Sequence, residues 1–474
     1  MQSKVEMRTL PAPRVALILL RAEWFDSVVA LPELVTAVQK DESLIRDFLA
    51  QSFEVAALWV VNSQDSLHTC TNEIKTLQAD LFILAFQVWA EDFYLTPVVD
   101  ALAGCPLAVW CYLPWEQPPQ LASFTQVLRG SGPVGTFEGL GTLRNLGVKF
   151  TFTHGPPQAP RVRQDLEIAA RAAQVRQLLR SARFGVLPAR NEQMQSTFVD
   201  EFRLRSELGP QVQYLSVAEL GRRSASLKDD EVHEYLQHLQ DTYLIQNVNS
   251  EDLELAARAS LGLAHLAIDH QLDVLSLNDI APELHETLGL RPCLYPPILD
   301  QYDTSLSLEG DLGAATALYV LRHLAPSPTL FVEIWYWDEA SNVINGGHAG
   351  PQDPSLARPG QAWISQDYEF AQSDRSQGAH FQFIARPGRV TLLQIRGTPQ
   401  GWQALLIGGE ALDASPKLEG YPHAAIRLDP PIDTFVRQVA QAGSTQHWIM
   451  AYGDLQAEIQ ALCELANIPL ETIR

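Results

Sequence analysis

Apolar residues first occur in short unbroken runs separated by amphipathic stretches. Residues 15–20 (VALILL), 55–61 (VAALWVV), 79–85 (ADLFILA) and 106–111 (PLAVWC) are each long enough for one strand. A continuous apolar run of this length reads as a strand buried on both faces. Between the runs, 31–52, 66–78 and 95–103 carry helical periodicity. Strands alternating with helices predict a parallel sheet covered on both sides. The pattern breaks at 153–161 (THGPPQAPR), which predicts the end of a first domain.

A similar alternation follows. Helical periodicity covers 163–181, 229–244 and 250–271, with strand signals in 182–190 (ARFGVLPAR) and 272–277 (LDVLSL). The prolines of 295–303 (YPPILDQYD) interrupt it. A helix is expected over 310–325 and a strand over 329–338 (TLFVEIWYWD). From 362 onward the segments shorten to 380–385, 389–396 and 402–407, with turns ARPGR, RGTPQG and IGGE. That pattern predicts an antiparallel meander or small barrel, closed by helices over 432–442 and 454–466. The expected class is α/β. Two Rossmann-like parallel-sheet domains, 1–160 and 161–303, precede a C-terminal α+β domain, 304–474, with an antiparallel β-barrel-like part.

Length agrees with several domains, since 474 residues exceed what one compact core holds. The net charge of −22 opposes docking on nucleic acid or an anionic membrane through a basic face. Five cysteines without a CxxC pair argue for reduced thiols rather than a disulfide framework or structural zinc. The N-terminal apolar run is cut by Arg21 and Glu23, unlike a signal peptide. No stretch approaches the roughly 20 apolar residues of a membrane span. A cytoplasmic protein is expected.

Candidate chemistry gathers in the last third. Glu309 and Asp311 (LSLEGDLGAA) precede a helix, where either also suits an N-cap. Glu333 interrupts an apolar, aromatic strand. A carboxylate buried there needs a charged partner or a cation, whereas a strand with one wet face needs neither. His348 follows two glycines (INGGHAG) and alone reads as a surface-loop residue. His447 (STQHWIMAYGDL) alone reads as a packed imidazole. Their spacing matches no short metal motif. No GxGxxG follows the first strand and no GxxxxGK[ST] occurs, which disfavours a nucleotide-dependent enzyme.

Several segments nevertheless resemble, in order, the L-fucose isomerase family and, more distantly, L-arabinose isomerases. They are ADLFILAFQVWAEDF, SGPVGTFEGLGTLRNLGVKF, EGDLGAATALYVLRHL, LFVEIWYWDEASNVINGGHAG, ARPGRVTLLQIRG and STQHWIMAYGDL. The resemblance implies an aldose–ketose isomerase that binds a monosaccharide and a divalent metal ion, manganese first. It implies Glu309, Glu333, His348 and His447 as metal ligands, with both glutamates carrying protons and Asp311 in a supporting, substrate-side position. The strand acid is Asp in fucose-type members and Glu in arabinose-type members. His348 matches the arabinose type within a more fucose-like context. Where the terminal motif often carries two histidines, Gln446 replaces the first. The family's hexameric packing implies a homo-oligomer, trimer or hexamer, in which the N-terminal domain borders a neighbour's site. Trp89 and Arg21, just past the ends of two apolar runs, are the substrate-side candidates there. A non-catalytic relative that binds sugar or metal as a regulatory or assembly subunit is the other reading.

Overall fold

The computed structural model describes residues 10–29, 31–325, 327–370 and 376–474; residues 1–9 of the N-terminal stretch read for a leader lie outside them. These residues form two compact units. One comprises Leu10–Gln177 and Ala457–Asn467, the other Leu178–Gln456 and Ile468–Arg474.

In the first unit the apolar runs are strands β1 (Arg14–Leu20), β2 (Glu54–Val61), β3 (Leu81–Phe86) and β4 (Leu107–Tyr112), joined by β5 (Thr151–Gly155). All pair in parallel, in the order β2-β1-β3-β4-β5. β5 runs into the start of the segment read as a break, so the sheet continues to that point. A helix, Gly132–Asn145, lies in a stretch to which the sequence pattern assigns no element. A Cβ at Gly135 or Gly139 would meet the Phe86 ring at 2.6 or 2.7 Å. Bare backbone at that spacing lets the helix lie directly on the buried β3 phenyl ring.

The larger unit begins with β6 (Arg183–Leu187), β7 (Gln211–Tyr214), β8 (Leu244–Ile245), β9 (Val274–Leu277) and β10 (Ser305–Leu308). Four of these form a second parallel sheet in the order β10-β9-β6-β7. Next come β11 (Leu330–Asp338), β12 (Val343–Gly347), β13 (Trp363–Ser365), β14 (His380–Gln382), β15 (Gly388–Thr398), β16 (Gly401–Ala411), β17 (His423–Leu428), β18 (Trp448–Tyr452) and β19 (Leu470–Thr472). Strands β13 and β14 join β8 in a small sheet, and the others form a seven-stranded mixed sheet. Within it β15-β18-β11-β12-β17-β16 is closed by pairing of β16 back to β15, while β19 adds in parallel to β16. The antiparallel part is therefore a ring of six strands, and ring closure removes free edges. One apolar core joins the second parallel sheet, through Leu275, Leu277 and Leu306, to Leu330, Val332, Ile344 and Met450 of the barrel.

The five cysteines are free thiols. Among the described residues no helix is long and apolar enough to cross a membrane.

Candidate metal centre

Glu309 stands at the carboxyl end of β10, the edge strand of the second parallel sheet, where open α/β sheets place ligand sites. It and Gly310 both adopt left-handed backbone conformations, with φ of 58° and 67°. For a glutamate this conformation costs roughly 1–2 kcal/mol. Such strain is retained where the surroundings over-determine it, often at functional sites. Gly310 admits no side chain, since a Cβ would lie 2.6 Å from Arg190 Cα. The double turn aims the Glu309 carboxylate inward and starts the helix Leu312–Leu324 two residues later. Asp311 caps that helix: its Oδ1 accepts from the Gly313 and Ala314 amides at 2.8 and 3.0 Å.

Glu333 is placed by strand register. On one side of β11, Glu333 faces Gly347, the residue before His348; on the other, Val332 faces Trp448, the residue after His447. The two glycines before His348 form no turn. They lie inside β12, and a Cβ on Gly347 would sit 2.1 Å from the Pro422 carbonyl oxygen. His348 is accordingly 6 % exposed rather than a surface-loop residue. The Phe331 ring packs edge-on against both imidazoles, with centroids 5.1 Å from His348 and 4.8 Å from His447.

The four side chains implied as ligands therefore meet. His447 Nε2 lies 3.3 Å from Glu309 Oε2 and 3.7 Å from Glu333 Oε1. His348 Nε2 lies 3.7 Å from Glu309 Oε1 and 3.9 Å from Glu333 Oε2. In each histidine the other ring nitrogen is engaged: His348 Nδ1 on the Ala349 carbonyl and His447 Nδ1 on Asp311 Oδ2, both at 2.8 Å. A donor hydrogen bond from Nδ1 leaves Nε2 to carry the lone pair whenever the ring is neutral, and in both rings Nε2 faces the carboxylates. Asp311 thus has one oxygen on the helix cap and the other on His447.

The donor set fits a divalent cation. Glu309 Oε2 and His447 Nε2 are buried and make no hydrogen bond, although they stand within ion-pair reach of each other. Buried polar atoms are rarely left so, and one cation between them satisfies both. Suitable ligand atoms of Glu309, His348 and His447 lie within 4.8 Å of one another, all in buried residues. Two carboxylates and two imidazoles suit manganese or a related divalent ion, not a thiolate-preferring one. The local field agrees. Burial pushes the His447 imidazole down, but Asp311 and Glu309 outweigh it and hold it up at about 9. Burial likewise raises the Glu309 carboxyl, and His447 and His348 more than offset this, leaving it below its usual value. The centre favours positive charge between its acids.

A buried ionic cluster nearby carries no signal in the sequence. Arg291 is 2 % exposed and grips Asp367 through two hydrogen bonds of 2.7 and 2.6 Å. It also bonds Glu369 and lies 3.6 Å from Asp279, whose carboxylate oxygens make no hydrogen bond. Burial lifts the Asp279 carboxyl to about 6 against the pull of Arg291.

Trp89 and Arg21 lie in the other unit. The Trp89 indole donates to Glu138 Oε2 at 2.8 Å. Arg21 is buried and paired with Asp26 at 3.0 Å and Glu42 at 2.8 Å, so its charge is engaged locally.

Comparison with known proteins places this geometry in context. The chain is 21 % identical to sulfoquinovose isomerase of Priestia aryabhattai over 415 residues, covering 87 % of this chain and 90 % of that protein. It is 22 % identical to sulfoquinovose isomerase of Clostridium sp. (strain MSTE9) over 351 residues, 73 % of this chain and 76 % of that one. It is 24 % identical to L-arabinose isomerase of Mycolicibacterium smegmatis over 312 residues, 63 % and 58 % of the two chains. No protein-family model matches the chain. Sugar isomerases thus align along most of its length, and the chain is similar to aldose–ketose isomerases of the L-fucose/L-arabinose isomerase-like kind.

Proposed function

We propose that this chain is a metal-dependent aldose–ketose isomerase that acts on a free monosaccharide through an enediol intermediate. The observation that carries the reading is the meeting of Glu309, Glu333, His348 and His447 around buried, unbonded donor atoms. Glu309, Glu333, His348 and His447 would hold the ion, with manganese the first candidate. A bound divalent ion would supply Lewis-acid stabilisation of the charge that develops on the sugar oxygens.

The residues divide the proton work by their surroundings. Glu309 is the more enclosed carboxylate and is held charged by two imidazoles, so it suits accepting a hydroxyl proton. The Glu333 side chain is 23 % exposed, against 6 % for Glu309, and faces the way in. It takes the proton from one carbon and returns it to the neighbouring carbon. The second proton passes between the two oxygens. The carbonyl carbon is reduced as its neighbour is oxidised, so the sugar as a whole is redox-neutral and no external oxidant or reductant is required.

Deuterium wash-in tests the reading. With manganese and L-arabinose, L-fucose or sulfoquinovose in heavy water, an isomerase incorporates solvent deuterium at carbon 2 of at least one sugar. A protein that binds the metal yet exchanges no carbon-bound proton in any of them is a binding relative instead.

Asp311 is proposed as a positioning residue. Asp311→Asn keeps a side-chain cap but removes the charge beside His447. Metal affinity is expected to fall about 10–100-fold with melting temperature nearly unchanged. Asp311→Ala additionally loses the cap, at about 1 kcal/mol. Calorimetric manganese titration with thermal melting separates the two effects.

We further propose a three-part organisation with segments 1–160, 161–303 and 304–474, a cytoplasmic location and a trimeric or hexameric assembly. Trp89 and Arg21 remain proposed substrate-side residues in it.

A further inference from the structure

Along β11, Phe331, Glu333 and Trp335 alternate with Val332 and Ile334, which pack into the hydrophobic core. Phe331 and Glu333 therefore share one face. Phe331 ends against the two imidazoles and Glu333 in the centre. Trp335 comes next and is 48 % exposed. Pairing with β12 skips Trp335, since Ile334 faces Gly346 and Tyr336 faces Asn345. Freed from the ladder by this bulge, its indole Nε1–H donates to the Gly347 carbonyl at 3.0 Å, one residue before His348.

A second ring stands beside it. Tyr421 lies 5.1 Å from Trp335 between centroids, at 32° between planes. The next residue, Pro422, accepts the His348 amide at 3.2 Å. The Tyr421 hydroxyl donates to Glu369 Oε1 at 2.6 Å, and Glu369 is held by Arg291. Both aromatic side chains are thus fixed by polar tethers at one end while ring surface stays open to solvent. A large, rigid, uncovered aromatic surface at the mouth of a polar centre is the arrangement of a binding wall.

We propose that Trp335 and Tyr421 form the wall of the sugar subsite and take the C–H face of the substrate monosaccharide. The proposal rests on the isomerase reading above. A sugar whose carbonyl end reaches Glu333 and His348 extends outward past Trp335, because the more exposed carboxylate marks the open side of the centre. Its hydroxyls face polar groups and water, and its carbon-bound hydrogens meet the rings.

The test uses manganese-loaded protein and two polyols without a carbonyl to isomerise, L-arabinitol and L-fucitol, titrated calorimetrically. Trp335→Ala is expected to weaken polyol binding about three- to tenfold, and Trp335→Phe to restore most of it. Manganese affinity should not change. In turnover KM rises by the same factor while kcat holds, because stacking acts alike on ground and transition states. Equal polyol affinity in wild type and Trp335→Ala overturns the wall. So does wild-type protein that binds neither polyol, or a variant whose assembly state alone shifts in sedimentation. Deuterium wash-in by the wild type is read separately, so an active isomerase with an indifferent Trp335 defeats this proposal and leaves the isomerase reading standing.

Discussion

Glu333→Gln is expected to abolish turnover while leaving the fold intact. The substitution keeps the side-chain volume and removes a negative charge together with the capacity to accept a carbon proton. Loss of one positioned proton carrier typically lowers rate roughly 10²–10⁴-fold, and loss of a metal-holding charge adds to that. The structural cost should be small. Glu333 makes no hydrogen bond that organises the barrel, and its polar neighbours His348 and His447 stand at 3.9 and 3.7 Å. In metal-free protein the change removes repulsion from Glu309 together with attraction to the two imidazoles, so the melting temperature should change little. Wash-in rates with melting curves of both proteins check this. A variant exchanging at the wild-type rate removes Glu333 from the mechanism. Unfolding that accompanies the loss removes the evidence for a selective role.

Metal removal should have the next largest effect. Exhaustive treatment with EDTA is expected to eliminate activity, and manganese to restore it. Stability gives an independent readout. An ion that binds only the folded protein stabilises it by about 2.7 kcal/mol at one hundred times its dissociation constant. For a unit of this size that is a rise of several degrees in melting temperature. Glu309→Gln should lose most of that rise, because Glu309 Oε2 and His447 Nε2 are the buried atoms of this centre that lack a hydrogen bond. Full activity in rigorously metal-free protein contradicts the proposed chemistry.

Much of this was legible along the chain, and the boundary is instructive. Runs such as VALILL and LFILAF are buried strands in nearly the expected positions, because side-chain periodicity is local and survives without tertiary context. The six-stranded ring was legible as an antiparallel meander or small barrel, from short strands with Gly and Pro turns, but without its strand order. Elsewhere local chemistry misled. The glycine-rich stretch 132–145, to which the sequence pattern assigns no element, forms a helix pressed on Phe86, and the pair before His348 signalled a turn but fills a strand beside Pro422. In both cases a distant residue, not a neighbour in sequence, required the missing side chain.

The sequence by itself determined the strand–helix alternation, the acidic character, and which residues answer to the family's ordered motifs. Only the tertiary structure decided that Glu309, Glu333, His348 and His447 converge, that Asp311 serves cap and imidazole at once, and that Trp335 stands beside Tyr421. Residue identity and periodicity are written into neighbouring positions. Convergence depends on barrel register and on a left-handed turn at Glu309, which follow from packing between segments far apart in the chain.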